Sequence, residues 1–220
     1  MYYLHKPISL PDLESKQIKK TRWYITPSGQ YYPSITSILG YGPKPWLDAW
    51  RVNMGESKAD IETKRCAERG TALHEMCEKT LNNHPDPTSG HQYEHILLYN
   101  KIKLSLPKID NILAQEVALY SDVLGIAGRV DCIAEWKGVP SIIDFKSSNN
   151  LKTEEQIHDY YMQETFYALA FHERTGIEIP QIVTIIAVEK GILPQIMIKT
   201  IYPYISSLKK KIDNFYATYS

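Results

Sequence analysis

The sequence predicts a mixed α/β (α+β) fold, in which helices pack on a central mixed β-sheet. Segments with helical spacing of apolar residues dominate the first half of the chain, and three apolar, β-branched segments follow them between residues 111 and 148. Beyond these, the pattern is helix, strand, strand and helix. This order of elements implies a mixed sheet covered by helices.

The N-terminal part predicts a hairpin followed by short helices. The stretch RWYITPSGQYYP contains two aromatic-rich strands around a turn at Pro27, Ser28 and Gly29, and Ser34 follows in a position to cap a short helix. PKPWLDAWRVNM then places Trp46 and its apolar neighbours at helical spacing.

A longer helix is predicted from about Ala59 to Leu81. Its apolar stripe consists of Gly70, Leu73, Cys77 and Leu81. NNHPDPTSGHQ is a loop by its Pro, Asn and Gly content, and YEHILLYNKIKLSL is another helix candidate.

Three strands follow in NILAQEVALYS, LGIAGRVDCIAEW and PSIIDFKSS, which are separated only by DV and KGV. Such short separations predict a three-stranded meander. Thr153 then opens a helix, with Gln156 completing a capping box and Gly176 ending the helix. The strands QIVTIIAVEK and LPQIMIKTIY and a closing helix ISSLKKKIDNFYATY complete the chain.

Charged residues interrupt the apolar strands of this meander. Side chains alternate between the faces of a strand, so Asp144 and Lys146 share one face. If the flanking strands pair around Lys137 and Gly138, Asp131 and Asp144 are near neighbours across the ladder.

Two opposed carboxylates in a half-buried sheet repel each other unless a cation lies between them. Carboxylate oxygens suit Mg²⁺, and a lysine two residues beyond a ligand can hold or deprotonate an attacking water or offset charge on a phosphorane-like transition state. An isolated Asp-x-Lys triplet is more often a surface ion pair. Together, however, the carboxylates and the lysine indicate hydrolysis of a phosphodiester.

Four further residues strengthen this interpretation. Glu116 lies in an otherwise apolar strand, where it would be a further acidic ligand or would order a metal-bound water. His74 lies on the apolar side of its helix, where a core position and a metal contact are alternatives. Gln163 and Tyr167, four apart on one helix face, could hold a strand's backbone and stack a base.

Composition excludes several classes. The chain of 220 residues has 25 basic and 25 acidic side chains, which argues against a general polyanion-coating protein. Cys66, Cys77 and Cys132 lack the spacing of a zinc or iron–sulfur site. No apolar run approaches the roughly 20 residues of a membrane span, and the start lacks a secretory signal, so we expect a cytoplasmic protein without membrane contact.

In this arrangement the sequence resembles the PD-(D/E)xK nucleases of the RecB-like branch, in particular the phage-type and mitochondrial genome maintenance exonucleases. Five matching pieces occur in the family's order over about residues 65 to 170. They are RGTALHE with His74, AQEV with Glu116, GRVD with Asp131, IIDFKSS with Asp144 and Lys146, and QETFY with Gln163 and Tyr167. YPSITSILG is a softer match to a segment that precedes the histidine helix.

This resemblance implies a restriction-endonuclease-like core of order α-β-β-β-α-β and Mg²⁺- or Mn²⁺-dependent cleavage of DNA, usually from an end. The length of the chain predicts one domain over residues 1–220, which by the resemblance is a nuclease domain, with the hairpin and helices of 1–58 as an N-terminal extension and the core over 59–220. If the chain is phage-encoded, its location would be the host cytoplasm. Replication or recombination proteins would be possible partners.

By the same resemblance, the expected catalytic residues are Asp131, Asp144, Lys146 and Glu116. The expected metal ligands are His74, Asp131, Asp144 and the backbone carbonyl of Phe145. DNA contacts are expected from Gln163, Tyr167, Arg129 and Ser147. The helical spacing of Trp46 and Trp50 favours core positions, although a helical layer there would suit the threading of single-stranded DNA. KQIKKTRWY is either a strand-binding edge or a solvated face.

We expect an exonuclease that favours single-stranded or frayed ends. A structure-specific endonuclease and a non-catalytic nucleic-acid-binding module of the same fold are the alternatives. RNA cleavage is a weaker possibility, and the residues do not specify the polarity of digestion or the oligomeric state.

Overall fold

The computed structural model describes residues 2–219, so Met1 and Ser220 of the predicted domain lie outside the described residues. Its centre is a five-stranded sheet of order β4-β5-β6-β7-β8. The strands are β4 (Ile109–Ser121), β5 (Ile126–Trp136), β6 (Val139–Ser148), β7 (Gln181–Val188) and β8 (Gln195–Thr200). β6 and β7 are parallel and the other neighbours antiparallel, which confirms the predicted mixed sheet.

A smaller antiparallel sheet of order β1-β2-β3 lies at the N-terminal side. Its strands are β1 (Glu14–Ile18), β2 (Thr21–Ile25) and β3 (Tyr31–Pro33). The predicted hairpin is β2 and β3, but the sequence analysis missed β1. Every residue of β1 is exposed, so its polar sequence ESKQI shows no apolar alternation.

Six α-helices complete the described chain. They are α1 (Ile35–Leu39), α2 (Pro45–Met54), α3 (Glu56–Leu81), α4 (Tyr93–Lys103), α5 (His158–Thr175) and α6 (Ile205–Tyr219). Ser34 caps α1 as predicted, since its hydroxyl accepts the N–H of Ser37. α3 begins three residues before the predicted Ala59, and within residues 2–219 the structure has no helix of the length and apolar character needed to cross a membrane.

The turn before α5 differs in detail from the prediction. Thr153 and Gln156 form the predicted capping box, with the N–H of Thr153 donating to Gln156 Oε1 at 3.1 Å. This box opens a 3₁₀ turn over Glu155–Ile157, and α5 itself begins only at His158. Gly176 ends α5 in the left-handed conformation at φ 75°, as expected of a glycine stop.

The central sheet is buried on both faces. Helices α1, α5 and α6 cover one face, where Phe166 and Phe215 pack with Ile142 of the sheet. On the other face α3 and α4 bury a second cluster, which includes Tyr99 and Ile143. Ile142 and Ile143 follow each other in β6 yet belong to opposite clusters, as strand alternation requires.

Candidate active site

The register of β5 and β6 brings the two predicted aspartates together. Lys137 and Gly138 form the tight turn at φ 51° and φ 80°, and the ladder runs from Trp136 opposite Val139 to Cys132 opposite Ile143. The next position places Asp131 across from Asp144, as the sequence predicted. There the carboxylate of Asp131 accepts the backbone N–H of Phe145 at 2.8 Å. Beyond the last backbone pair, this side-chain hydrogen bond joins the two strands and fixes the Asp131 carboxylate between them.

His74, for which a core position and a metal contact were the alternatives, reaches the same place from α3. Its Nδ1 lies 3.4 Å from Asp131 Oδ1 and 4.0 Å from Glu116 Oε1. Burial alone would lower the pKa of His74, but the negative charge of Asp131 and its hydrogen bond outweigh burial and raise the pKa to about 9. For Asp131, burial would raise the pKa, and His74 and Lys146 hold it below its usual value. The histidine therefore faces the carboxylates and does not serve as a core residue.

Glu116 has a strained backbone within β4. It lies between Gln115, opposite Cys132, and Val117, opposite Val130, yet its φ is 48°. A non-glycine residue in this left-handed region costs about 1–2 kcal/mol. Its carbonyl accepts a hydrogen bond from the guanidinium of Arg129. Burial and the charge of Asp131 raise the pKa of Glu116 to about 7. A strained backbone that carries a half-buried acid is the kind of outlier found at functional positions.

These three side chains form a candidate metal centre. One ligand atom each from His74, Glu116 and Asp131 lie within 4.8 Å of one another. An imidazole nitrogen and carboxylate oxygens at this spacing suit Mg²⁺ or Mn²⁺. Burial and the neighbouring carboxylate of Asp131 raise the pKa of Glu116, so a cation at this place would stabilise its charged form. The donor set therefore fits a divalent cation.

Asp144 and Lys146 form a buried ion pair beside this cluster. The carboxylate is 1% exposed, and it also accepts the Gln163 Nε2 amide at 3.4 Å. Burial raises the pKa of Asp144 to about 6 against the opposing charge of Lys146. Burial would lower the pKa of Lys146, but Asp144 and Asp131 raise it above its usual value. Lys146 therefore keeps its positive charge, and its ammonium lies 5.2 Å from the centroid of the Tyr160 ring.

The helix α5 presents Gln163 and Tyr167 to the site, as their spacing predicted. Gln163 Nε2 lies 3.2 Å from the Tyr167 hydroxyl. Both side chains are buried, however, and Tyr167 is only 1% exposed. A buried ring offers no face to a base, so the predicted stacking by Tyr167 is wrong for this structure. Its hydroxyl remains next to the cavity.

Arg69 and Glu164 are two buried residues that the sequence analysis missed. The guanidinium of Arg69 donates to Ser147 Oγ at 3.2 Å and to Asn149 Oδ1 at 2.6 Å. The hydroxyl of Ser147, a predicted DNA contact, thus accepts a hydrogen bond from Arg69 of α3. Glu164 accepts the Thr184 hydroxyl, and burial together with the charge of Asp144 raises its pKa well above the usual value. Neither residue carries a signal in a single sequence, because both contacts join distant segments.

The site opens into a cavity of about 320 Å³. Seven of its lining residues were predicted from the sequence: His74, Glu116, Arg129, Asp131, Lys146, Gln163 and Tyr167, with Gly128 beside them. The N-terminal sheet and α1 add Arg22, Tyr24, Ser34 and Thr36, none of which was among the expected site residues. Two stretches indicated this wall: the softer match YPSITSILG, which contains Ser34 and Thr36, and KQIKKTRWY, a strand-binding edge or a solvated face, which contains Arg22 and Tyr24. Arg22, Arg129 and Lys146 therefore place three arginine or lysine cations in the cavity beside the carboxylates of Glu116 and Asp131.

Of the remaining predicted residues, Asp144 joins the site through Lys146 and Gln163, and Phe145 contributes its N–H to Asp131. The role of the Phe145 carbonyl as a metal ligand stays a prediction. So do the DNA contacts of Arg129, Gln163, Tyr167 and Ser147.

No protein-family model matches the chain. The chain is 28% identical over 128 residues to mitochondrial genome maintenance exonuclease 1 of Mus musculus, a match over 54% of this chain and 38% of the relative. With the protein of the same name from Homo sapiens it is 25% identical over 145 residues, covering 61% of this chain and 40% of the relative. The matched part of the chain thus spans about two fifths of the length of these relatives.

Among solved structures, the chain is similar to a protein of Eubacterium rectale that is named "Putative exonuclease". The TM-score is 0.45 at 11% sequence identity, and the match covers 68% of this chain and 65% of the other.

Proposed function

We propose that this protein is a divalent-metal-dependent deoxyribonuclease of the PD-(D/E)xK type, which hydrolyses DNA from an end and favours single-stranded or frayed ends. The observation that carries the proposal is the convergence of one histidine, two carboxylates and one charged lysine at a single cavity, with the third carboxylate, Asp144, buried next to that lysine. The sequence similarity to exonucleases of mouse and human supports it.

His74, Glu116 and Asp131 would hold the metal ion, and Asp144 and the Phe145 carbonyl are the further ligands that the resemblance implies. A bound Mg²⁺ or Mn²⁺ supplies charge neutralisation on phosphate oxygens and activation of water. The Phe145 N–H holds the Asp131 carboxylate, and Lys146 and Gln163 hold the Asp144 carboxylate. Both carboxylates are therefore oriented before any ligand binds.

Lys146 acts as a fixed cation. Because its pKa is raised, its ammonium stays protonated at neutral pH and can donate hydrogen bonds to the phosphate or to the attacking water. Lys146 would therefore offset negative charge on the phosphorus centre. Deprotonation of water, the other role considered for this lysine, is disfavoured in the protein alone.

Hydrolysis needs an acceptor for one proton of the attacking water. The water oxygen forms the new bond to phosphorus, the bond from phosphorus to the leaving sugar oxygen breaks, and that oxygen takes up a proton from solvent. Glu116 is the carboxylate of the cavity that could accept this proton where it orders the attacking water and does not ligate the ion itself.

Two arginines provide binding groups for the DNA backbone. Arg22 and Arg129 line the same cavity as the carboxylates, and guanidinium groups bind phosphate oxygens in bidentate fashion. The backbone of the substrate would then lie between these cations and Lys146. The formal net charge of the chain is zero, so this local patch and not a global field would attract DNA.

The decisive experiment compares linear single-stranded DNA, labelled at either end, with a circular single strand of the same sequence, in Mg²⁺, in Mn²⁺ and in EDTA. We expect loss of the linear strands only, and only with metal, and the label released first gives the polarity. Cleavage of the circle would favour a structure-specific endonuclease. Intact DNA in both metals would contradict the proposal in favour of a non-catalytic binding module.

Matched variants assign the activity to this cavity. Asp144→Ala and Lys146→Ala are expected to abolish cleavage in a folded protein. Asp122→Ala and Lys199→Ala serve as controls, because each removes one member of an ion pair away from the cavity, with Arg174 and with Glu154. Full activity of Asp144→Ala would show that the site assignment is wrong.

A further inference from the structure

Helix α2 carries apolar side chains that folding leaves accessible. All ten of its residues are exposed or half-buried, and Trp46 is 69% exposed. The core position that helical spacing favoured is therefore wrong for Trp46, and Trp50 is half-buried. Ion pairs attach α2 to α3, with Arg51 Nη2 at 2.5 Å from Glu56 and 2.6 Å from Asp60. Accessible tryptophans on a helix held by charge pairs are available for a ligand.

The two tryptophans line a groove of about 500 Å³. We call it the tryptophan groove and define it by residues from α2, from α3 and from the end of β6 onward: Trp46, Trp50, Cys66, Ser147, Lys152 and Tyr160. Its volume lies within the roughly 300–1,000 Å³ typical of ligand sites. Among residues 2–219 neither tryptophan ring forms a pair with another aromatic ring.

The groove adjoins the candidate active site at Tyr160. Tyr160 lines the groove, and the ammonium of Lys146 lies 5.2 Å from the centroid of the same ring. Ser147, the next residue in β6, also lines it. A strand whose phosphate lies at Lys146 would therefore enter the groove with its adjoining nucleotide.

The charges of the groove suit a polyanion that carries aromatic rings. Lys152 contributes a cation. Two neighbouring carboxylates are already paired with two arginines, since Arg65 pairs with Glu62 at 2.8 Å and with Glu189 at 2.5 Å, and Arg69 pairs with Glu189 at 3.0 Å. Aromatic rings beside cations are the combination by which proteins bind single-stranded nucleic acid.

We propose that the tryptophan groove binds the unpaired nucleotides next to the scissile phosphodiester, with bases stacked on Trp46 and Trp50. The inference rests on the proposed nuclease function and adds a physical reason for a single-strand preference. In a duplex the faces of the bases are covered by their neighbours, whereas an unpaired base can place its face on an indole ring. Duplex DNA would have to fray before it reached Lys146.

The test measures binding of a fluorescein-labelled oligothymidylate about 15 nucleotides long to the full chain, in EDTA so that metal-dependent cleavage does not interfere. Trp46→Ala and Trp50→Ala are each expected to raise Kd roughly fivefold to a hundredfold, from the stacking typical of one base. Trp46→Phe should recover most of the affinity. Because α2 buries little on folding, these variants should fold, which an unchanged urea midpoint would verify.

Val52→Ala is the matched control, since Val52 lies on the same helix, is 78% exposed and does not line the groove. It should bind as the wild type does. A blunt hairpin duplex should bind the tryptophan variants and the wild type with equal affinity. An unchanged Kd for the oligothymidylate in both alanine variants would overturn the proposal and would leave α2 as a surface for a protein partner.

Cleavage assays separate this proposal from the nuclease function. If the groove acts as proposed, Trp46→Ala raises KM for the linear single strand and leaves kcat at saturating substrate nearly unchanged. If wild-type protein cleaves no DNA but binds the oligothymidylate in a Trp46-dependent manner, the nuclease function fails and the groove is supported. If cleavage is normal and KM of Trp46→Ala is unchanged, the groove fails and the nuclease function stands.

Discussion

Asp131 accepts the backbone N–H of Phe145 at 2.8 Å, at the point where the ladder between β5 and β6 gives way to side-chain contacts. One carboxylate thus has a structural role through this bond and a chemical role through His74, 3.4 Å away. The two roles can be separated by substitution, because an amide keeps the hydrogen-bond acceptor and loses the charge.

Asp131→Asn and Asp131→Ala are both expected to lose metal-dependent cleavage, since neither retains a carboxylate ligand. They should differ in stability. The alanine variant leaves the buried N–H of Phe145 without an acceptor, and we expect it to be about 1–3 kcal/mol less stable than the asparagine variant. Urea unfolding in EDTA at neutral pH measures this difference. Equal stability of the two variants would mean that the bond to Phe145 contributes nothing.

Glu116→Gly tests whether backbone strain is maintained for the sake of the site. Glycine adopts φ 48° without steric cost, so in EDTA this variant should be about 1 kcal/mol more stable than the wild type while it loses cleavage. Lys137→Gly is the matched control, because Lys137 also has a positive φ, 51°, in an exposed turn. It should gain similar stability with full activity. A Glu116→Gly variant less stable than the wild type would argue against stored strain.

Much of the fold was predictable because its strands and turns are specified locally. The two-residue turn at Lys137 and Gly138 fixes the register of β5 on β6, so counting from the turn was enough to place Asp131 opposite Asp144. Alternation then placed Asp144 and Lys146 on one face.

Other features depend on tertiary contacts and could not be predicted. The helical spacing of Trp46 and its apolar neighbours favours a core position, and only the packing of the folded chain shows that the ring of Trp46 is accessible. The wall formed by Arg22 and Thr36 joins β2 and α1 to a cavity built on strands about 100 residues further along the chain. The left-handed backbone of Glu116 carries no sequence signal, because it is imposed by the β4 and β5 pairing and not by residue type.

Metal binding should be coupled to proton release. The pKa of Glu116 is raised to about 7 by burial and Asp131, and that of His74 to about 9 by Asp131 against burial. A divalent cation binds the unprotonated forms, so its affinity should rise between pH 6 and pH 8, by up to about tenfold per pH unit for each proton released. Calorimetry with Mn²⁺ in buffers of different ionisation enthalpy counts these protons. An affinity that is independent of pH would contradict the assignment of these ligands.

The same pKa shifts determine how the stability of the metal-free protein changes with pH. Glu116 binds more protons in the folded than in the unfolded state between its ordinary pKa of 4.5 and about 7, so the free energy of unfolding should fall as pH rises through that window. For His74 the stabilising contribution is complete below 6.5 and is lost as pH rises towards about 9. Urea unfolding in EDTA from pH 5 to pH 9 follows both losses. Glu116→Gln should remove the loss of stability at the lower pH. The same dependence of stability on pH in this variant and in the wild type would count against a raised pKa for Glu116.

Gly128 tests how closely α1 and α5 pack over β5 at the site. A Cβ added there would lie 2.8 Å from Ile35 Cγ2 and 2.9 Å from Tyr167 Cε1, so one of these side chains must move. Gly128→Ala should therefore cost about 1–3 kcal/mol by overpacking, and it should also reduce cleavage, because displacement of Tyr167 disturbs Gln163 and through it Asp144.

A glycine on the other side of the site gives the opposite expectation. At Gly70 in α3 the nearest atom to an added Cβ is Ser147 Oγ at 3.9 Å, an ordinary contact, so Gly70→Ala should stabilise the helix by about 0.5–1 kcal/mol.

Adding Ile35→Ala to Gly128→Ala removes one of the two clashing groups, and the double variant should be more stable than the sum of the single effects predicts. Urea unfolding measures the stability of each of these variants. Additive effects of Ile35→Ala and Gly128→Ala would show that the strain falls on Tyr167 instead. A Gly128→Ala variant as stable as the wild type would mean that α1 and α5 pack less closely over β5 than this structure shows.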